Sequence, residues 1–119
     1  MATSMGERPA LIDAVKRIGL APGYNTAITD SENTYIEYSK IDKCVVFFAK
    51  ITATQTLPAD TVNGLFSNMP KSKEWIAFPA YNTNDRTVVG YLQIRNDGGM
   101  RNFATINGTA LCYGVYFTD

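Results

Sequence analysis

The residues best suited to chemistry gather in one polar stretch, Tyr81, Asn82, Asn84, Asp85 and Arg86, with Trp75, the chain's only tryptophan, shortly upstream. Sugars present hydroxyls that need paired donors and acceptors, and C–H faces that stack on aromatic rings. Amides, a carboxylate and a guanidinium beside Trp or Tyr therefore make a saccharide-binding set. The competing reading is a turn in which the Asn and Asp side chains bond their own backbone, with Arg86 solvated and Trp75 buried. Arg95, Asn96, Asp97 and Arg101 form a second polar set, but Asn96-Asp97-Gly98-Gly99 reads first as a hairpin turn.

Catalytic chemistry is sharply restricted. The chain has no histidine, which removes Ser/His/Asp and Cys/His nucleophile pairs and an imidazole base near neutral pH. Two cysteines without histidine cannot build a structural zinc site within one chain. Cys44 and Cys112 each lie in an apolar run, "KCVVFF" and "ALCYGVYF", and read as free core thiols, with a Cys44 to Cys112 disulfide as the alternative. Asp30 and Glu32 in "TDSEN" offer oxygens to calcium, but without the spacing of an EF-hand loop. Asp85, Asp97 and Glu74 are the carboxylates that would have to converge for glycoside hydrolysis, and no long cleft-forming repeat brings them together. No catalytic residue, metal ligand or cofactor is assigned.

These side chains must be positioned by one domain, since 119 residues hide roughly two thirds of their unfolded surface around one core. Eleven basic and eleven acidic residues cancel, leaving no field to steer nucleic acid or an anionic membrane. No apolar run approaches the roughly 20 residues that span a bilayer. "RPALIDAVKRIG" reads as a short helix over Pro9 to Ile18, with Leu11, Val15 and Ile18 on one stripe and Gly19 just past the end. It is either a helix folded on its own domain or the last turns of a stem joining several chains. The chain divides at "LAPGYN" into an N-terminal stem or linker, residues 1–22, and a β domain, residues 23–119.

From there the pattern is strand. "TYIEYSKI" alternates, Asp42-Lys43 reverses the chain, and "CVVFFAKITATQTL" follows as a long strand expected to be buried on both sides at first and to end at a surface. Val62, Leu65, Phe66 and Met69 in the next loop are candidates to seal the core. "WIAFPAYN" holds Pro79, which belongs at an edge or bulge. "VVGYLQIR", "MRNFATI" and "ALCYGVYFT" then read as a meander joined by "NDGG" and by Asn107-Gly108 as a type I′ turn. Tyr113, Val115 and Phe117 fall on one face of the last strand, with Tyr116 on the other, which suits an interior strand or one covered by a neighbouring subunit. Seven or eight strands point to an all-β antiparallel sandwich or jelly roll.

"CVVFFAKITATQTLPAD" and "FPAYNTNDRTVVGYLQIRNDGGMRNFATINGT", followed by the aromatic terminal strand, resemble the C-terminal head domain of bacteriophage tail-fibre and baseplate receptor-binding proteins. The resemblance covers about Thr34 to Asp119 and is strongest in "PAYNTNDRTVVGYLQI" and "YGVYFTD". It implies a homotrimeric β-sandwich on an N-terminal stem, located in the virion at the tail tip and assembled in the host cytoplasm. The implied partners are a host cell-surface glycan and, through the N-terminus, other tail or baseplate proteins. Such heads share no invariant site, so Trp75, Tyr81, Asn82, Asn84, Asp85 and Arg86 stand as binding candidates on their own chemistry. A trimerisation or collar module without a ligand, and a small lectin-like domain, are the alternatives.

Overall fold

A computed structural model of the chain describes residues 15–21, 29–59, 64–103 and 105–118. Its strands are β1 (Lys16–Gly19), β2 (Tyr35–Ile41), β3 (Cys44–Leu57), β4 (Ile76–Asn82), β5 (Val88–Ile94), β6 (Met100–Asn102) and β7 (Ile106–Phe117). Among the described residues they form one antiparallel sheet in the order β1-β2-β3-β7-β4-β5-β6. The all-β expectation holds. The helix expected to run to Ile18 does not, because Lys16–Gly19 pairs as a strand with Tyr35 to Tyr38, and edge pairing to an existing sheet outweighs the weak propensity of so short a segment. Pro9 to Ala14 lie outside the described residues.

Asp42 and Lys43 turn β2 into β3 as expected, with Ile41 opposite Cys44 and Asp42 at φ 53°. The C-terminal strands are not a simple meander. β4, β5 and β6 follow one another, and β7 then returns to lie beside β4, which makes the order β7-β4-β5-β6 a Greek key. Asn107-Gly108 is no hairpin turn but part of β7. Ala53 faces Gly108 and Leu57 faces Ile106, so three residues of β3 bulge against one of β7, and Gly108 takes φ 70° there. Pro79 sits inside the sheet where the β4–β7 ladder stops, since β7 pairs only with Ala80 to Asn82.

The sheet curls until the segment at Leu65 bridges its two edges. Leu65 N donates to Met100 O of β6 at 2.6 Å, and Leu65 O accepts from Ala21 N, just after β1, at 2.9 Å. Leu65, Phe66 and Met69 thus seal the core as anticipated; Val62 lies outside the described residues. Inside the curl sit Ile36, Val45, Phe47, Ile51, Leu92, Ile94, Met100 and Tyr116. Phe47 meets Phe78 edge-on at 4.9 Å, and Tyr116 lies beside both rings. The Tyr116 hydroxyl donates to Pro70 O at 2.8 Å, and burial pushes its pKa up. β3 is covered on only one face in its first half, since Val46 is 40% exposed; the expected double burial is absent.

Cys44 and Cys112 are free thiols. Cys112 pairs with Ala49, five residues along β3 from Cys44, a separation of about 17 Å at roughly 3.4 Å per residue. That is far beyond disulfide reach.

Candidate functional site

β4 keeps the sequence candidates apart. Tyr81 and the loop that follows lie at its C-terminal end, whereas Trp75 precedes its first residue. Seven residues of strand at roughly 3.3 Å each put about 23 Å between them, so Trp75 cannot contact the same sugar unit as Asn82 to Arg86. Asp85 is separated from Glu74 and Asp97 in the same way, well beyond the carboxylate spacing of a glycosidase.

The loop satisfies itself. Asn82 Oδ1 accepts from Asn84 N at 2.8 Å, and Asn82 Nδ2 donates to Asn107 O at 3.2 Å. Asp85 Oδ1 accepts from the Thr87 hydroxyl at 2.7 Å and from Thr87 N at 3.1 Å. The hydroxyl, then the amide, hold the Asp85 carboxyl below its ordinary pKa of 3.8. Arg86 takes φ 62° to complete the turn, with its N–H on Asn82 O. Asn84, Asp85 and Arg86 are exposed, and the half-buried Tyr81 ring stacks on Tyr113 at 6.2 Å.

Trp75 is 51% exposed, not buried. The Arg95 and Arg101 guanidiniums lie 5.4 and 5.1 Å from its ring, close enough for cation–π attraction. Arg95 is ion-paired to Asp97 at 2.8 Å, and Arg101 donates to Gln93 Oε1 at 3.0 Å. The second polar set is therefore knit into the outer surface of β5 and β6. Asp97 Oδ1 also accepts from Gly99 N, which closes the expected turn.

A site that sequence reasoning missed lies across β2, β3 and β7. Tyr35 faces Lys50, Lys50 faces Leu111, and Leu111 faces Tyr81, so one row of side chains crosses four strands. One row over, Thr52 faces Thr109. Together with Asn33, Phe48 and Thr83 these residues line an open hollow of about 660 Å³, within the range of small-ligand sites. Thr52 Oγ1 donates to Asn33 O at 3.0 Å and lies 3.5 Å from Thr109 Oγ1. Thr83 donates from both N and Oγ1 to Thr109 O, at 3.1 and 3.3 Å. The Arg17 guanidinium covers one face of Tyr35 at 3.7 Å, and Phe48 supplies a second ring.

Asp30 shapes the hollow's end without holding a metal group. Its carboxylate accepts from Asn33 Nδ2 at 2.9 Å and from Glu32 N at 3.2 Å, capping the short 3₁₀ turn Ser31–Asn33. The Asn33 amide leads the effects that lower its pKa. Among the described residues no three His, Cys, Asp or Glu side chains cluster as a metal site would need.

The lining thus combines hydroxyls, an amide, an ammonium and two aromatic rings, with no carboxylate among its members. Such a surface can hydrogen-bond and stack, and it contains no nucleophile–base pair. No family model matches the chain, and no curated protein is significantly similar to it.

Proposed function

We propose that the protein is the receptor-binding head of a bacteriophage tail fibre or baseplate, a homotrimer that recognises a host cell-surface saccharide without changing it. The observation that carries the reading is the hollow between Tyr35, Phe48, Lys50, Thr52, Thr83 and Thr109. It sets ring faces beside hydroxyl and amine donors, the pairing that sugar hydroxyls and C–H faces require. The strand and turn resemblance of Thr34 to Asp119 supplies the biological setting, with residues 1–14, ahead of β1, as the stem side that joins other tail proteins. The Greek key of β7, β4, β5 and β6 supports the finer reading of the head as jelly-roll-like.

A printed array of bacterial surface saccharides tests this directly. Wild-type protein binds a subset of spots, and Tyr35→Ala, Lys50→Ala and Thr109→Val each weaken that binding at least tenfold while Asn84→Ala does not. Absence of binding across the array overturns the reading. One observation favours a second reading, a trimerisation or collar module with no ligand: the Asn82 and Asp85 side chains are spent on their own turn, while Tyr113, Val115 and Phe117 lie open. A silent array on a trimeric protein would select it.

A further inference from the structure

One wall of the hollow is held from behind. Tyr35 precedes the buried Ile36 on β2 and so points to the outer face of the sheet, with Lys50 opposite it on β3 and Gly19 opposite it on β1. Glycine has no side chain to brace the ring, and no described atom lies within 4 Å of the place a Cβ would take on Gly19. The support comes diagonally instead. Arg17, two residues back along β1, sets its guanidinium 3.7 Å from the centre of the Tyr35 ring, and diagonal neighbours on adjoining strands are within reach of long side chains.

Arg17 has a group of opposite charge at hand. Register puts Glu37 directly across from it, yet among the described residues no ion pair joins the two. The guanidinium lies over the ring, where its flat, weakly hydrated face gains cation–π attraction. The side from which it comes decides what it does. Lys50 and Thr52 line the hollow from β3, Thr109 and Leu111 from β7, and Thr83 from just past β4. β1 lies on the other side of β2 from all of them. Arg17 is not among the lining residues; it backs the ring from the far side and leaves the side toward β3 open to a sugar.

We propose that Arg17 is a positioning residue of the saccharide site, fixing the Tyr35 ring as a wall against which a sugar's C–H face stacks while touching no sugar itself. The inference rests on the saccharide reading above and adds β1, an edge strand of four residues, to the parts that build the site. A ring free to swing must be ordered when the ligand arrives, which weakens binding. A ring already pinned escapes that loss.

Serial dilutions of the array saccharide that wild type binds most strongly, read as apparent affinity, test the role. Arg17→Ala weakens binding about fivefold, the scale of one exposed cation–π contact, with the thermal midpoint unchanged. Arg17→Lys recovers part of the loss, since it keeps the cation without the flat guanidinium. Lys16→Ala removes the same charge from the same strand, at a residue that faces Tyr38, and binds as wild type does. In a Tyr35→Ala background the Arg17→Ala change has no further effect, because the ring it acts through is gone. If Arg17→Ala binds like wild type, or weakens the Tyr35→Ala protein by the same fivefold, the positioning role fails and the saccharide site stands. If Lys16→Ala lowers binding as much as Arg17→Ala, charge and not the ring is at work, and the role fails again. A wild type that binds no saccharide fails the site and the role together.

Discussion

Gly114→Ala should destabilise the protein by a clash with one identified ring. Gly114 pairs with Phe47 on β3, and three atoms of the Phe78 ring lie within 3.1 Å of the place a Cβ would take. The ring has nowhere easy to go, because Phe47 meets it edge-on at 4.9 Å and Tyr116 stands at 6.4 Å. Moving it off its rotamer costs about 1 kcal/mol, and overpacking of a close-packed core costs about 1–3 kcal/mol in all. We expect a loss of about 2 kcal/mol, which lowers the thermal midpoint by about 8 °C for a domain of this size. Urea denaturation of Gly114→Ala, Phe78→Leu and the double variant measures the coupling. In the Phe78→Leu background the alanine should cost less than about 0.5 kcal/mol, since the branched chain vacates the ring's edge. Gly19→Ala, where no atom lies within 4 Å, serves as the neutral control. A Gly114→Ala protein as stable as wild type, or two substitutions whose costs simply add, would refute the reasoning.

Thiol labelling should separate the two cysteines, because burial pushes Cys112 up to about 12 while Cys44 is half-buried. At pH 8 a thiol reagent should modify one site quickly and the second only after denaturation; rapid modification of both would contradict the packing of Cys112. The Asp85 pKa is lowered in the folded protein, so its contribution to stability is complete above about pH 3.8 and is lost as pH falls through the lower folded value. The Thr87 amide resonance should therefore titrate with a midpoint below 3.8, and a midpoint at or above that value would show that Thr87 does not bond the carboxylate.

Much of the sheet was legible because its signals are local. The period-two alternation of Tyr35 to Ile41 and the two-residue turn at Asp42-Lys43 fix the β2–β3 register, so Tyr35 opposite Lys50 follows by counting outward from the turn. Half of the hollow could have been found that way. The other half could not, since Thr109 and Leu111 reach β3 through a return of the chain past β4, β5 and β6 that no local signal encodes. Asn107-Gly108 misled for a related reason. Positive φ at Gly108 serves a bulge as well as it serves a hairpin, and only the strand facing it decides which. Ile18 falls on a helical stripe with Leu11 and Val15 in the sequence, yet Lys16 to Gly19 pair with a sheet edge as a strand. Trp75 and Asn82 looked like neighbours because a strand of seven residues is short in sequence and long in space.

The side chains along β3 and β7 explain both the curl and the open face. Facing inward along the middle of the ladder, Ala49 pairs with Cys112, Ile51 with Ala110, Ala53 with Gly108 and Phe47 with Gly114, so a small residue stands in each of these pairs, while the inward pairs at its ends, Val45 with Tyr116 and Leu57 with Ile106, are bulky. Ala80 on β4 adds another beside Cys112. Small groups on one side let strands bend toward it, and Phe78 fills the space that Gly114 leaves. The bulkier partners, Phe48 with Tyr113 and Val46 with Val115, fall on the opposite, convex side. The sheet turns outward the aromatic and branched residues by which strands ordinarily pack on a neighbouring layer, and the described residues supply no layer to meet them. The same alternation that builds the core thus leaves Val46, Tyr113, Val115 and Phe117 exposed on the convex face.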